Sequence, residues 1–205
     1  MLVVGVDVGG TNTDAVVFDV STGSVRGKQK SATTADTATG ITQAVRGALL
    51  AAGIPASDVV YVAIGTTHFL NAVLVQSVKL AKVAVLRLCG TATQALPPFV
   101  EFPLSFRKLV EGCSHMLPGG YEFTGDEISS TNQADLSAAC SAIQAAGIRQ
   151  IVVCGVYAPC KNAQEVEATT FIRTAFPQLD VTTSHAIGNL GLLERENAAI
   201  LNACL

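Results

Sequence analysis

Residues 3–18 constrain the fold of this chain most, because they read as two short strands joined by a tight glycine turn. The first run is rich in valine, a β-branched residue that suits a buried strand. Gly9 and Gly10 follow, and such a pair lets backbone N–H groups approach a ligand closely. An apolar run resumes at Ala15 and no Gly-Lys-Ser/Thr follows, so the pattern predicts a β-hairpin rather than a Walker A loop or a turn that opens a helix.

The tip of this hairpin carries side chains suited to phosphate and to a metal ion. Successive N–H groups in a glycine turn form an anion-binding concavity, and a neighbouring carboxylate can hold Mg²⁺ directly or through water. We therefore predict Asp7 as a metal ligand and catalytic residue. The predicted phosphate contacts are Gly9, Gly10, Thr11, Asn12 and Thr13.

Each of these assignments has a simpler alternative. Asp7 could be a buried acid satisfied by the N–H groups of its own turn, and the glycines could serve the turn alone. Asp14, which follows the turn, either orients the hairpin or a water molecule or has a purely structural role.

The motif resembles the first phosphate-binding hairpin of the actin-like ATPase superfamily. Within that superfamily it is most similar to the N-terminal region of the hydantoinase A and 5-oxoprolinase family, to which acetone carboxylase subunits also belong. Residues 65–74 are similar to the family's Gly-Thr-Thr and Asn-Ala-Leu segment, and residues 192–203 to its glutamate–arginine helix. The three matches together span residues 3–203.

The resemblance implies an α/β fold: a β-β-β-α-β-α-β opening with a mixed sheet, as in one actin-like (ribonuclease-H-like) half, and then a second α/β region. It implies the N-terminal region of a hydrolase that opens a cyclic amide with ATP and Mg²⁺ as cofactors. It also implies that Gly65 binds the cofactor and that Thr66 and Thr67 are catalytic, although a plain helix cap would explain this segment equally well.

Two other functions fit the same hairpin. One is another actin-like phosphotransferase, such as a sugar kinase, which residues 65–74 and 192–203 disfavour. The other is a non-catalytic scaffold or regulatory subunit, against which the intact Asp7 and glycine turn count. The expected partners are a cyclic amide, the C-terminal remainder of the protein and a hydantoinase B-type subunit.

Composition excludes several classes of protein. The net charge is −3 and only 14% of residues are charged, without basic clusters, which argues against nucleic acid or a membrane surface as partner. No apolar run has the length of a membrane span, and no signal peptide is evident, so we expect a cytoplasmic protein. The six cysteines match no metal or redox spacing, so we expect reduced, mostly buried thiols without disulfides.

The chain divides by pattern into a core at residues 1–88, an irregular insertion at 89–131 with one or two short strands, and an α/β continuation at 132–205. In the core we predict a third strand over 25–31, a helix over 40–52 capped by Thr37 or Thr39, a buried strand over 59–64 and a strand over 82–88. Between the last two strands, a turn at 65–67 opens a helix that carries Phe69 and Leu70 and ends near Gln76. His68 lies in that helix and is read as a solvated or packed residue rather than a catalyst.

In the continuation we predict a helix that starts at Asn132 or Asp135 and strands over 150–156 and 179–183. Asn162 and Glu165 have the spacing of a capping box for a further helix. Glu194, Arg195 and Glu196 on the last helix are read as a solvated charged face, with a network at a site or a domain interface as the alternative. This helix lacks a closing cap, which suggests a fragment of a longer protein.

Overall fold

The computed structural model describes residues 1–34, 36–67, 73–75 and 80–205, and the chain divides into two compact units, Met1–Val75 and Gln76–Leu205. His68 and most of the helix predicted to follow residue 67, including Phe69, Leu70 and Gln76, lie outside the described residues.

The first unit is built on a mixed four-stranded sheet in the order β3-β2-β1-β4. Its strands are β1 (Leu2–Val8), β2 (Asn12–Asp19), β3 (Ser24–Ala32) and β4 (Val59–Thr66). The first three are antiparallel neighbours, and β4 runs parallel to β1. This confirms the predicted hairpin, the third strand and the mixed sheet.

One helix, α1 (Thr37–Ala52), covers one face of this sheet. Its N-cap is Asp36, whose carboxylate accepts from the backbone N–H of Thr39 at 3.2 Å, rather than Thr37 or Thr39 as predicted. Gly53 ends the helix in the left-handed region, with φ of 64°. The core between sheet and helix consists of small and branched aliphatic side chains: Val4, Val6, Val8, Ala15, Val17, Ala44, Ala48 and Leu49.

Strand β4 differs from the buried strand that its apolar sequence predicted. Val60, Tyr61, Val62 and Ile64 are 46–64% exposed, because β4 is the edge strand next to β1 and α1 packs mainly on β2 and β3. The strand also runs further than predicted. Gly65 and Thr66 are its last residues, so they do not form the turn that was expected before a helix.

The second unit contains a fully parallel sheet in the order β6-β5-β7-β8. Its elements in chain order are β5 (Val83–Leu88), α2 (Leu104–Val110), β6 (Glu111–Leu117), α3 (Gln133–Ala145), β7 (Gln150–Gly155), α4 (Ala163–Ala175), β8 (Asp180–Thr183) and α5 (Leu192–Ala203). β5 pairs with β6 and β7, and it lies in the second compact unit. Residues 89–131 contribute the helix α2, which was not predicted, and the edge strand β6, where one or two short strands were expected.

Helices cover both faces of this sheet. On one face α3 and α4 pack against β5 and β7 over an aliphatic core that includes Leu86, Ile143, Val153 and Ile172, all fully buried. Asn132 caps α3, as predicted, by accepting from Ala134 N–H at 2.8 Å. On the other face α5 packs on the strands.

Two of the three charges of α5 are buried rather than solvated, and Glu194 alone of the three is exposed as predicted. Glu196 is fully buried and accepts two hydrogen bonds from the guanidinium of Arg87 on β5, at 2.8 and 2.6 Å. Arg195 is also buried and donates to the Ser184 hydroxyl at 2.8 Å and to the Gly155 carbonyl. Burial disfavours the charge on Arg87, but the hydrogen bonds and charge of Glu196 outweigh this and raise the pKa of Arg87.

Glu165 has a different role from the capping box that its spacing indicated. Asn162 makes no side-chain cap bond, and the Glu165 carboxylate is buried. One oxygen accepts from Gly155 N–H at 2.7 Å and from Ser184 Oγ at 2.6 Å, and the other from His185 N–H at 3.1 Å, with His185 Nδ1 at 2.6 Å. The carboxylate thus joins α4 to the ends of β7 and β8.

All six cysteines are free thiols, as predicted, and Cys160 is the exposed one. Burial raises the pKa of Cys140 to about 11 and that of Cys154 to about 12. None of the helices in the described part of the chain has the length and apolar content that crossing a bilayer requires.

We therefore expect thiol titration to separate the cysteines. A thiol reagent near neutral pH should modify Cys160 quickly and Cys140 and Cys154 slowly, because a buried thiol with a raised pKa is almost entirely protonated. When the chain is denatured without reductant, all six thiols should react with the reagent. A count below six would contradict the absence of disulfides.

Candidate phosphate-binding site

The glycine turn between β1 and β2 is closed by backbone and hydroxyl bonds. Gly9 N–H donates to the Asn12 carbonyl at 2.9 Å. From beyond β3, Thr33 Oγ1 donates to the Gly9 carbonyl at 2.7 Å, and Thr33 N–H donates to the Thr11 carbonyl at 2.9 Å. Within the described part of the chain, the N–H groups of Gly10 and Thr11 have no protein acceptor, so they are available to an anion.

Asp7 stands at the end of β1 on the sheet face opposite α1. Its side chain is exposed, and among the described residues it has no hydrogen bond or ion pair. The alternative of a buried acid satisfied by its own turn therefore does not hold. The carboxylate is free to meet a cation.

A second carboxylate lies directly across from it. Asp7 pairs with Asp14 in the antiparallel register, so both side chains lie on one face. Like charges in this position are unfavourable unless a cation intervenes. Lys30 Nζ lies 3.5 Å from Asp14 Oδ2, in an exposed ion pair. Among the described residues Asp7 has no such ion pair, and a bound cation would balance its charge.

The end of β4 completes the site on the other side of β1. In the parallel register Asp7 lies beside Gly65, and Val8 lies beside Thr66. Thr66 Oγ1 donates to the Val8 carbonyl at 3.3 Å, and Thr67 N–H donates to the same carbonyl at 3.4 Å. A Cβ on Gly65 would have one neighbour within 4 Å, the Val6 carbonyl at 3.9 Å, so the flank of Asp7 is open.

The structure therefore brings Asp7, the turn and the end of β4 together at the end of the sheet where the parallel strands β1 and β4 finish. Thr13 is the exception, because its side chain is buried beneath the turn with its hydroxyl 3.2 Å from that of Thr33. Sequence reasoning missed Thr33 and Lys30. Each acts from about 20 residues away, and nothing in the local pattern marks them.

The donor set fits Mg²⁺, which takes oxygen ligands and is usually held by one or two carboxylates together with phosphate oxygens and water. Asp7 and, through water, Asp14 would hold it. No cluster of three or more metal-ligating side chains occurs among the described residues. Asp7 and Asp14 would be the carboxylate ligands of Mg²⁺ here, together with bound phosphate and water.

Mixed and parallel sheets covered by helices place the chain in the α/β class. It matches the family described as the hydantoinase/oxoprolinase N-terminal region over residues 3–176. That is most of its length, and the chain belongs to this family. No curated protein sequence is a significant match.

Two solved structures share the fold. One is acetone carboxylase in a nucleotide-free structure, from a study of ATP-dependent acetone carboxylation, with a TM-score of 0.72 and 18% identity. The other is the ATP-dependent caprolactamase from Pseudomonas jessenii, with a TM-score of 0.64 and 21% identity. They match 98% and 99% of this chain, which spans 31% of the length of each. At these identities the likeness shows the fold alone, and it supports the predicted α/β class.

Proposed function

We propose that this chain is the phosphate-binding N-terminal part of an ATP-dependent enzyme that opens a cyclic amide. ATP would phosphorylate the amide oxygen and leave as ADP, water would attack the activated carbon, and the C–N bond would then break with loss of phosphate. The rest of the protein and a hydantoinase B-type subunit would supply the remaining nucleotide contacts and the amide site. Membership of the hydantoinase/oxoprolinase family and the fold shared with an ATP-dependent caprolactamase support this.

The observation that carries the proposal is the exposed carboxylate of Asp7 beside the N–H groups of Gly10 and Thr11, all of them without a partner among the described residues. In phosphoryl transfer the protein mainly positions phosphates and neutralises charge. The N–H groups would hold phosphate oxygens, and Asp7 would hold Mg²⁺ or its water shell. The end of β4, with Thr66 and Thr67, would border the same ligand.

The test is ATP turnover by the intact protein in the presence of defined cyclic amides. Hydantoin, 5-oxoproline and δ-valerolactam are each added with Mg-ATP, and ADP and ring-opened product are quantified together. We expect one of them to stimulate ADP release, with ring-opened product in equal amount. ADP release coupled to a phosphorylated sugar, or no stimulation by any cyclic amide, would contradict the proposal.

A further inference from the structure

We propose that the second unit carries its own binding site, independent of the proposed nucleotide role, for a small, uncharged and mainly apolar molecule. The site is a cavity of about 480 Å³ at the carboxyl edge of the parallel sheet. This volume lies within the roughly 300–1,000 Å³ of small-molecule sites. The lining residues are Thr93, Val156, Tyr157, Leu190, Gly191 and Leu192.

The position of the cavity in the topology is the first argument. The chain leaves β5 toward β6 on one side of the sheet and leaves β7 toward β8 on the other. The connections therefore diverge between β5 and β7. In open parallel sheets, ligands bind in the crevice outside the carboxyl ends of the strands at such a switch point. Thr93 lies in the segment after β5, and Val156 and Tyr157 follow β7 directly, so the cavity occupies this crevice.

Backbone strain at the cavity is the second argument. Thr93 has φ of 60° and Tyr157 has φ of 49°, in the left-handed region that side chains other than glycine rarely adopt. For a β-branched residue such as Thr93 this is a true outlier. Strain of this kind costs on the order of 1–3 kcal/mol per residue and clusters at ligand sites, where it orients side chains.

Two buried arginines hold the walls in place. Arg87 donates to the Leu96 carbonyl, with the Thr93 carbonyl and hydroxyl oxygens at 3.5 Å from the same nitrogen. Arg195 Nη1 donates to the carbonyls of Asn189 and Leu190 at 2.9 and 3.1 Å. The segments on both sides of the cavity are thus fixed before any ligand arrives, which lowers the entropic cost of binding.

The lining defines the chemistry of the ligand. Val156, Leu190 and Leu192 present aliphatic surface, while the Thr93 and Tyr157 hydroxyls are polar groups for one hydrogen-bonding function such as a carbonyl. Among the described residues, no charged side chain lines the cavity. The carboxylate of Glu194 lies against Gly191 at the rim, which disfavours an anion. A small cyclic ketone or similar neutral carbonyl compound fits these groups.

Ligand-observed saturation-transfer NMR on the full chain tests the proposal with cyclohexanone as probe and cyclohexanecarboxylate as its anionic counterpart. We expect saturable binding of cyclohexanone and at least about tenfold weaker binding of the carboxylate. Leu190→Trp should fill the cavity and weaken cyclohexanone binding about tenfold or more. Leu190 is 58% exposed, so the larger ring should not disturb the core.

Leu50→Trp, at a leucine on α1 that is 81% exposed and distant in sequence from the cavity lining, is the control and should leave binding unchanged. Tyr157→Phe, which retains the ring and removes the phenol hydroxyl, should weaken binding several-fold. The proposal is overturned if cyclohexanone does not bind saturably, if the carboxylate binds as well as the ketone, or if Leu190→Trp and Leu50→Trp bind alike.

Discussion

Replacing Asp7 by asparagine is expected to reduce ATP turnover by the intact protein by roughly a hundred to several thousand fold. The amide keeps the shape of the side chain but loses the charge that would hold Mg²⁺ or its waters. The metal neutralises charge that develops during phosphoryl transfer. Losing its anchor should therefore raise the barrier by about 3–5 kcal/mol. Steady-state ADP release at saturating Mg-ATP measures the effect.

The same variant should unfold at nearly the wild-type temperature, because the Asp7 side chain is exposed and has no partner within the described residues. Asp14→Asn tests the carboxylate on the facing strand, which would reach the metal only through water. It removes the exposed ion pair with Lys30, and such pairs contribute little to stability. Its effect on turnover should be much smaller. An Asp7→Asn protein that is active but unstable would contradict our assignment of the hairpin.

The largest effect on stability should come from the Arg87–Glu196 pair. Both side chains have 0% exposure, and Glu196 accepts both of its charged hydrogen bonds from Arg87. Arg87→Met leaves the Glu196 carboxylate buried without its cation. Breaking a buried pair in this way costs about 3–5 kcal/mol. Urea unfolding of the variant, followed by circular dichroism, measures the loss.

Two further variants show whether the unpaired charge is the cause. Arg87→Met combined with Glu196→Leu should recover much of the lost stability, because two apolar side chains of similar volume replace a desolvated pair. Arg107→Met breaks a bidentate pair with Glu111 that is about one-third exposed, and its effect should be far smaller. If the double variant is no more stable than Arg87→Met, the buried charge does not explain the loss.

The parts of the fold that local patterns determine could be predicted. Valine-rich runs on either side of Gly9 and Gly10 fold into β1 and β2, because β-branched residues and a glycine turn leave few other options. Helix α3 begins after Asn132 because that side chain caps it. The same local pattern predicted that Asp7 lies next to the glycine turn.

The rest depends on contacts between residues far apart in the chain. Segment 89–131 is rich in proline and glycine, which hid the helix α2 and left the position of a strand open, because the place of β6 depends on pairing with β5. Glu165 has the spacing of a cap but binds groups from β7 and from the turn after β8. Arg87 and Glu196 are 109 residues apart, and a sequence pattern reads each as a surface charge. Burial of a charge depends on its partner, which local patterns do not contain.

Hydrogen–deuterium exchange of the intact protein with and without Mg-ATP tests the central claim most directly, because it reports on backbone N–H groups one segment at a time. The N–H groups of Gly10 and Thr11 are without a protein acceptor among the described residues and should exchange fast in the free protein. We predict that Mg-ATP slows exchange in peptides covering residues 8–14 and that Asp7→Asn removes this protection. Protection by Mg-ATP elsewhere in the protein, with residues 8–14 unchanged, would contradict a phosphate-binding hairpin.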